Sequence, residues 1–516
     1  MNLLSRLRSP SPVLPLLAVL TGLCMAQGLA PSGLWGATLV GLGVAGVLFQ
    51  GSEPEQVGGA QAWRRAALLG WCLGLGYFAW GLRWIVEPFQ VDADTHGWMA
   101  PFALMFMAGG LALFWGAAFG FARAVARQGG LWVLVGAWSL AELARGYVLT
   151  GFPWAGLGQA VPLDPFWAVL PWFGAHGLGL ALMAAAVPLA GIVRARGWRK
   201  GAAIAPALVL GAVSVVLGRG VPAPEQVPLT SERVRLVQPN APQDEKWLPE
   251  KRWVFFERLL GFTAAEGAVD LTVWPETAVP SLLNYSDGFA PHMAQAAGEA
   301  PILYGVQREE AERYYNSAVL MGADGQSLDI YDKVHLVPFG EYMPLSDLAA
   351  RFGVFGLAAR AQSGYAPGAE RRLLDLPVGR ALVLICYEGV FGQDVRAFDD
   401  RADLIVLITN DAWFGLFAGP QQHLVQAQMR AAEQGLPMVR VANTGISAMI
   451  DPFGRLREKL PLNEAGFVDA ELPAPRPVTV YAQTGDWPVF ALSVFCVLCG
   501  GLHGLRRRGR HAVTLG

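Results

Sequence analysis

The chain has 516 residues, of which 53% are hydrophobic and only 16% are charged, and its formal net charge is −2. A soluble protein of this length is rarely so apolar, and the near-zero charge excludes the broad basic field that nucleic-acid-binding proteins use. We therefore expect a membrane protein with no nucleic-acid partner.

Apolar segments long enough for a membrane helix occur on both sides of a more polar middle region. A bilayer core of about 30 Å requires roughly 20 apolar residues in a helix. Seven candidate segments precede residue 220 and an eighth lies near the C-terminus: 11–30, 34–50, 66–86, 98–122, 131–150, 168–193, 202–218 and 488–505. The sequence predicts a membrane domain of seven helices at 1–220, an exported domain at 221–487, and a C-terminal helix with a basic tail at 488–516.

Basic residues occur beside alternate ends of these segments. Lys and Arg form five clusters, at residues 6–8, 64–65, 123–127, 194–200 and 506–510. The loops near 31–33, 87–97 and 151–166 contain neither residue type. Because positively charged loops stay in the cytoplasm, we expect a multi-pass membrane protein whose exported domain faces outward, which in a Gram-negative cell would be the periplasm. The first segment could instead be a cleaved signal peptide, and the charge pattern does not separate these alternatives.

Two charged residues lie inside the fifth apolar segment. Glu142 and Arg145 are three positions apart, so they can pair on one face of a helix. A charge at membrane depth costs free energy and usually has a partner. We expect these two side chains to neutralise each other toward the bundle interior, in preference to forming a transport pathway.

The middle region has short β-type runs that alternate with helical patterns. Strands are predicted at 234–239, 269–274, 301–306, 316–321, 381–386, 403–408 and 438–452, and helices at 243–267 and 421–435. Several of the strands are apolar throughout, which is typical of a sheet covered on both faces. The pattern predicts an α/β fold or a layered α+β sandwich.

Three chemically useful groups follow strand-like runs in this region. Glu276 ends VWPE, Cys386 follows ALVLI, and Lys333 follows LDIYD, with Glu341 eight residues further on. Alone, Glu276 suits a turn, Lys333 a solvated surface, and Cys386 a hydrophobic core. Acyl-transfer chemistry requires a thiol, a base for its proton, and a cation for the oxyanion. The three together are therefore a stronger signal than any one of them.

No metal or cofactor is expected from the sequence. The five cysteines lack zinc-finger spacing, and His335 has no second metal ligand spaced near it, so we expect this histidine to be structural. Cys386 is the only cysteine outside the predicted membrane segments. We therefore expect no disulfide at this thiol.

The combination of motifs resembles a known family. The motifs are WPE at 274–276, YDK at 331–333, HLVPFGEY at 335–342, CYE at 386–388, TNDAWFG at 409–415 and RVANTGIS at 440–447. They are similar to those of the nitrilase (carbon–nitrogen hydrolase) superfamily. With the eight predicted membrane segments, the whole chain resembles the apolipoprotein N-acyltransferase family, a membrane-embedded member of that superfamily. The resemblance implies an α-β-β-α sandwich for the exported domain and a Glu-Lys-Cys triad.

The resemblance also implies roles for individual residues. Glu276 would act as the general base for Cys386, and Lys333 would stabilise the oxyanion. Four more residues are implied to support the site or to lie near substrate: Glu341, Tyr387, Glu388 and Trp247. Trp247, in QDEKW, matches a looser motif than the others. Asp332 stands where the family more often has Asn, a departure that affects only local hydrogen bonding.

The implied reaction is an acyl transfer in two steps. The Cys386 thiolate would attack an acyl ester of a phospholipid, typically phosphatidylethanolamine, and form a thioester. The α-amine of the diacylglyceryl-cysteine of an apolipoprotein would then take the acyl chain, the last step of lipoprotein maturation. Two alternatives are a membrane-anchored nitrilase-type amidase with water as acceptor, and a transporter or scaffold whose exported domain only binds lipoprotein.

A membrane-lipid substrate also calls for apolar loops near the thiol. The candidates are Trp413, Phe414 and Phe417 in DAWFGLFAG, and Phe352, Val354 and Phe355 in RFGVFGLAA. Exposed apolar patches commonly mark membrane or partner contacts. The first set suits a core equally well, whereas the Gly-rich spacing of the second set favours lipid contact.

Overall fold

The computed structural model describes residues 13–53, 61–193, 197–344, 364–396 and 400–513. The chain divides into two units. The helical unit is drawn from Met1–Val86, Met99–Val221 and Thr484–Gly516. The sandwich unit is drawn from Glu87–Trp98 and Pro222–Gln483.

The helices of the described residues include one at each position where an apolar segment is predicted. Their bounds, in chain order, are Val13–Met25 (α1), Trp35–Gln50 (α2), Ala62–Gly81 (α3), Ala93–His96 (α4), Ala100–Val125 (α5), Leu131–Tyr147 (α6), Leu170–Ala186 (α7), Trp198–Gly218 (α8), Arg252–Thr263 (α9), Ala290–Ala297 (α10), Gly392–Val395 (α11), Gly419–Gln434 (α12), Val480–Thr484 (α13) and Trp487–Val513 (α14).

Among the described residues, three helical stretches are long and apolar enough to cross a membrane. They are Ala93–Val125, Phe166–Ile192 and Lys200–Gly218. Three more apolar helices are shorter: Val13–Gly28, Trp35–Gln50 and Trp487–Leu502. The helices at the predicted positions are therefore present, while the count of eight membrane crossings stays a prediction.

The charged pair of the fifth predicted segment lies inside α6. Arg145 Nη2 is 2.8 Å from Glu142 Oε2, and both side chains are buried. Trp115 Nε1 donates a hydrogen bond to Glu142 Oε1 at 2.8 Å, and Arg145 Nη1 donates to the Trp154 carbonyl oxygen at 2.8 Å. Each charge has a partner, which confirms the predicted mutual neutralisation.

The described residues of the sandwich unit form two six-stranded sheets. The strands are Leu229–Gln238 (β1), Leu271–Val273 (β2), Ile302–Glu310 (β3), Arg313–Met321 (β4), Ser327–Asp332 (β5), Leu373–Leu376 (β6), Gly379–Ile385 (β7), Leu404–Thr409 (β8), Met438–Ala442 (β9), Ser447–Ile450 (β10), Leu456–Leu460 (β11) and Gly466–Pro473 (β12). One sheet has the order β12-β1-β2-β3-β4-β5 and the other β11-β10-β9-β8-β7-β6.

The apolar side chains of each inner strand divide between two cores because successive side chains point to opposite faces. In β7, Val383 and Ile385 join the core between the sheets, together with Val234 and Leu236 of β1. The alternate positions of β7 instead pack with Leu424 of α12. Helix α9 covers the outer face of the other sheet. This arrangement confirms the predicted α-β-β-α sandwich and explains why the strands are apolar throughout.

One predicted helix is shorter in the structure than the sequence indicated. The segment 243–267 was expected to be helical, but α9 spans only Arg252–Thr263. Residues 243–251 form turns. Pro249 has no N–H to donate, and it restricts the residue before it to extended conformations. The helix therefore begins at Arg252, after the proline, and not at residue 243 as predicted.

Candidate active site

The three triad candidates each follow the end of a strand in the sandwich unit. Cys386 comes directly after β7, which pairs in parallel with β8. Glu276 follows β2, which is parallel to both β1 and β3. Lys333 comes directly after the edge strand β5. Functional groups in α/β folds collect at the carboxyl ends of parallel strands, and here an edge strand adds the cation.

Lys333 lies between two buried carboxylates. Its Nζ is 2.9 Å from Glu341 Oε1 and 3.8 Å from Glu276 Oε1, and its side chain is 1% exposed. Burial alone would lower the pKa of Lys333, but the charges of Glu341 and Glu276 outweigh burial and hold this pKa above its ordinary value. The ammonium therefore stays charged throughout the physiological pH range.

The carboxylate of Glu276 has hydrogen-bond donors on both oxygens. Asn316 Nδ2 donates to Oε1 at 2.6 Å, and the backbone N–H of Asn410 donates to Oε2 at 2.7 Å. Asn316 also donates to Glu341 Oε1 at 3.2 Å. Charge-assisted hydrogen bonds of this kind fix the orientation of a carboxylate. Asn316 and Asn410 were not singled out from the sequence.

Cys386 is buried and has a backbone conformation that non-glycine residues rarely adopt. Its φ is 51°, in the left-handed region, and such strain is typical of functional sites. Burial raises the pKa of the thiol above its ordinary value and the charge of Glu276 raises it further, while Lys333 and a hydrogen bond with the Thr409 side chain oppose this. The resting thiol is therefore protonated at neutral pH, so it needs a base before it can act as a nucleophile.

Glu388 joins the segment that carries the thiol to the segment that carries the lysine. Its Oε2 accepts the Ile385 N–H at 2.8 Å. Its Oε1 accepts the Val334 N–H at 2.8 Å, the His335 N–H at 3.1 Å and the Tyr331 hydroxyl at 2.8 Å. Glu388 is fully buried. It thus ties the residues that flank Lys333 to those that flank Cys386.

We expect Glu388→Ala to lower the melting temperature and to reduce activity together. The change leaves three backbone N–H groups and one hydroxyl without their acceptor, which costs about 3 kcal/mol or more. Glu388→Gln keeps one carbonyl acceptor and should fall between Glu388→Ala and the native protein. Thermal unfolding of the purified protein measures this order, and an alanine variant as stable as the native protein would refute the tying role.

Tyr387 and His335 form an aromatic group beside the thiol segment. The Tyr387 ring packs edge-on against Phe391 with centroids 4.8 Å apart, and His335 stacks on Phe391 at 3.9 Å. His335 Nδ1 is 2.7 Å from Asp394 Oδ2. These contacts account for His335 as a structural residue, in agreement with the sequence-based expectation. Within the described part of the chain, no three His, Cys, Asp or Glu side chains are grouped as metal ligands.

The two tryptophans expected near substrate lie in separate loops. Trp247 is 36% exposed and Trp413 is half-buried. Phe414 packs against the core between the sheets, whereas Phe417 is 56% exposed. Phe414 therefore contributes to the core, while lipid contact by Trp413 and Phe417 stays a prediction. Phe352, Val354 and Phe355, the other lipid-contact candidates, lie outside the described residues.

Asp332, the departure from the family pattern, has local partners. Its Oδ1 accepts from Arg308 Nε at 2.7 Å and from Ser317 Oγ at 2.6 Å. Neither bond involves the ammonium of Lys333. The bonds of Asp332 are therefore to residues around β5 and not to the lysine.

Two family models together match most of the chain. Residues 233–477 match the carbon–nitrogen hydrolase model, and residues 21–215 match the model of the apolipoprotein N-acyltransferase N-terminal domain. A protein from Rhodopseudomonas palustris named apolipoprotein N-acyltransferase is 37% identical over 505 residues, which cover 92% of each chain. This chain belongs to the apolipoprotein N-acyltransferase family. Proteins of the same name from Bradyrhizobium diazoefficiens and Sinorhizobium medicae are 36% and 38% identical, and cover 94% and 90% of this chain and 94% and 91% of their own length.

Two solved structures each align with about half of the chain. A carbon–nitrogen hydrolase superfamily protein from Xanthomonas campestris is 21% identical, with a TM-score of 0.36, and the match covers 50% of this chain and 96% of that chain. An amidase from Nesterenkonia is 20% identical, with a TM-score of 0.36, and the match covers 52% and 98%. The apolipoprotein N-acyltransferase relatives, by contrast, align with both halves of this chain.

Proposed function

We propose that this protein N-acylates apolipoproteins. It transfers a fatty acyl chain from a phospholipid, through a thioester on Cys386, to the N-terminal amine of a diacylglyceryl-cysteine. The observation that carries the proposal is the grouping of a buried thiol with a carboxylate and an ammonium. Lys333 lies 3.8 Å from Glu276, and Glu388 ties the residues that flank Lys333 to those that flank Cys386. The thiol, the carboxylate and the ammonium are the nucleophile, base and oxyanion partner that acyl transfer requires.

In the first half-reaction, Glu276 takes the proton of the Cys386 thiol. The thiolate attacks the ester carbonyl carbon of the phospholipid, and Lys333 stabilises the negative charge that develops on the carbonyl oxygen. Collapse of the tetrahedral intermediate breaks the ester C–O bond, and the leaving oxygen receives the proton from Glu276. The products are acyl-Cys386 and a lysophospholipid.

In the second half-reaction, the same groups act on a different nucleophile. The α-amine of the lipoprotein cysteine attacks the thioester carbonyl, Glu276 accepts the amine proton, and Lys333 again stabilises the oxyanion. The C–S bond breaks, and the leaving Cys386 thiolate takes the proton that Glu276 accepted from the amine. Glu341 supports both steps by holding the Lys333 ammonium at 2.9 Å.

We propose an inner-membrane location with the sandwich unit in the periplasm. The segment Glu87–Trp98, from the loop predicted to lie outside the membrane, belongs to the sandwich unit. Gly415 of the DAWFG loop approaches this segment so closely that a Cβ there would lie 2.6 Å from the Glu87 side chain. This placement supports a common side for the loop and the catalytic residues, and the basic clusters support the cytoplasm for the other side.

The alternative of an amidase that uses water is less well supported. An amidase would need the same triad, and the carbon–nitrogen hydrolase match alone would suit it equally. The additional match of residues 21–215 to the N-terminal domain of the acyltransferase family favours a lipid donor. A soluble amide substrate would give this apolar half of the chain no role.

The proposal is tested with purified full-length protein and phosphatidylethanolamine labelled in its acyl chains. We expect intact-mass analysis to find one fatty-acyl adduct, and peptide mapping to place it on Cys386. Addition of a diacylated lipopeptide should remove the adduct and yield the triacylated lipopeptide. Phosphatidylglycerol, offered in parallel, measures headgroup preference. Turnover of small amides without any acyl adduct would favour the amidase instead.

A further inference from the structure

Lys246 is a buried lysine that the proposed mechanism does not use. It lies in the turns between β1 and α9, and it is 6% exposed. Its Nζ is 2.9 Å from Thr277 Oγ1 and 3.3 Å from the backbone carbonyl oxygen of Glu276. Burial lowers the pKa of Lys246 to about 8, although the charge of Glu276 opposes this. A buried ammonium costs free energy, so its position calls for an explanation.

The backbone to which Lys246 bonds is strained and crowded. Thr277 has a φ of 49°, in the left-handed region that β-branched residues avoid. On the other side, Gly305 of β3 lies so close that a Cβ there would be 2.5 Å from the Glu276 Cα. Strain of this kind costs of order 1–3 kcal/mol and persists only where surrounding contacts hold it. Lys246 supplies two such contacts.

The contacts of Lys246 differ in kind from those of Lys333. Lys333 is 3.8 Å from the Glu276 carboxylate, whereas the hydrogen bonds of Lys246 are to the main-chain oxygen of Glu276 and to the next side chain. The carboxylate oxygens of Glu276 receive their donors from Asn316 and Asn410. The hydrogen bonds of Lys246 therefore hold the backbone that positions the carboxylate, whereas Asn316 and Asn410 bond to the carboxylate itself.

Trp247, the residue after Lys246, connects Lys246 to the protein surface. The Lys246 ammonium lies 5.3 Å from the centre of the Trp247 ring, within cation–π distance. Trp247 is 36% exposed. A buried lysine that contacts the backbone of Glu276 and an exposed aromatic ring therefore occupy consecutive positions of one loop.

We propose that Lys246 is a positioning residue that holds the strained Glu276–Thr277 backbone, so that the Glu276 carboxylate faces Cys386, and that links the Trp247 loop to that base. The inference rests on the proposed function in one respect, the role of Glu276 as the base for Cys386. It adds a residue to which the sequence motifs assign no role.

A double-mutant cycle on the rate of acyl-Cys386 formation tests the proposal. The native protein, Lys246→Met, Glu276→Gln and the double variant are mixed with saturating labelled phosphatidylethanolamine, and the adduct is followed by mass. Displacing a base by about 1 Å can cost on the order of 100-fold in rate. We expect a loss of that size in Lys246→Met, and a double variant no slower than Glu276→Gln alone, because both changes remove the same function.

Matched controls separate positioning from general damage to the fold. Lys251→Met removes an exposed lysine of the same loop, which pairs with Glu245 at 3.2 Å, and should match the native rate. If Lys246→Met folds poorly, Thr277→Val and Thr277→Ser replace it. Thr277→Val removes the hydroxyl that Lys246 contacts and should slow acylation, while Thr277→Ser keeps that hydroxyl and should restore most of the rate.

The outcomes distinguish the two proposals. A native-like rate in Lys246→Met, or losses that simply add in the double variant, would overturn the positioning role while Glu276 remains the base. Equal rates in Thr277→Val and Thr277→Ser would also count against it. A native-like rate in Glu276→Gln would instead overturn the assignment of the base, whatever Lys246→Met does.

Discussion

We expect Cys386→Ser to abolish acyl-adduct formation and transfer to the lipopeptide, with a loss on the order of 10⁴-fold or more. Residues that act as one catalytic unit show losses of this size when the nucleophile is removed. The site is adapted to a thiol whose pKa burial and Glu276 already raise. A serine hydroxyl is a much weaker acid, so the same carboxylate cannot generate a useful alkoxide from it.

The measurement compares intact mass and lipopeptide product for Cys386→Ser and for a second cysteine variant. Cys24→Ala is the control, because Cys24 is exposed and lies in α1 of the helical unit. Cys24→Ala should retain the native rate and the adduct. An acyl adduct that persists in Cys386→Ser, or transfer without Cys386, would mean that another group carries the acyl chain.

The inner part of the sandwich could be predicted from the sequence, and its edges could not. The predicted strands correspond to β1–β4 and β7–β10, which occupy the interior positions of the two sheets. Strands β6, β11 and β12 were not predicted, and β5 was only described as strand-like; all four are edge strands. An interior strand of the sandwich is covered on both faces, so its sequence is a continuous run of apolar residues. An edge strand such as LREKL in β11 carries charges because solvent reaches it.

In the candidate site, the reactive residues could be predicted from the sequence, whereas the residues that support them could not. Glu276, Lys333 and Cys386 could be proposed because each reactive group directly follows a strand-like run and matches a family motif. Asn316 lies within β4, and its contact with Glu276 depends on the register of β4 against β3 and β5. Lys246 was missed because residues 243–267 were predicted to be helical and lysine side chains are almost never fully buried. Contacts between distant segments of the chain are set by packing, which a single sequence does not display.

Lys333→Met is expected to reduce acylation by about 1,000-fold and also to destabilise the sandwich. Removal of one oxyanion partner alone costs about 100- to 1,000-fold. In addition, the change leaves Glu276 and Glu341 facing the same Asn316 amide with no cation between them. Breaking a buried ion pair by removing one partner costs about 3 to 5 kcal/mol.

The double variant Lys333→Met with Glu341→Gln separates the two effects. Replacing the Glu341 carboxylate by a neutral amide removes one of the two uncompensated charges, so much of the lost melting temperature should return. Acylation should not return, because the oxyanion still lacks its cation, and Glu341→Gln alone is the control for the amide itself. Recovery of acylation along with stability would show that Lys333 acts only by holding the fold, and would leave the oxyanion to other donors. Continued instability would show instead that Lys333 stabilises the site through Glu276, 3.8 Å away, more than through Glu341.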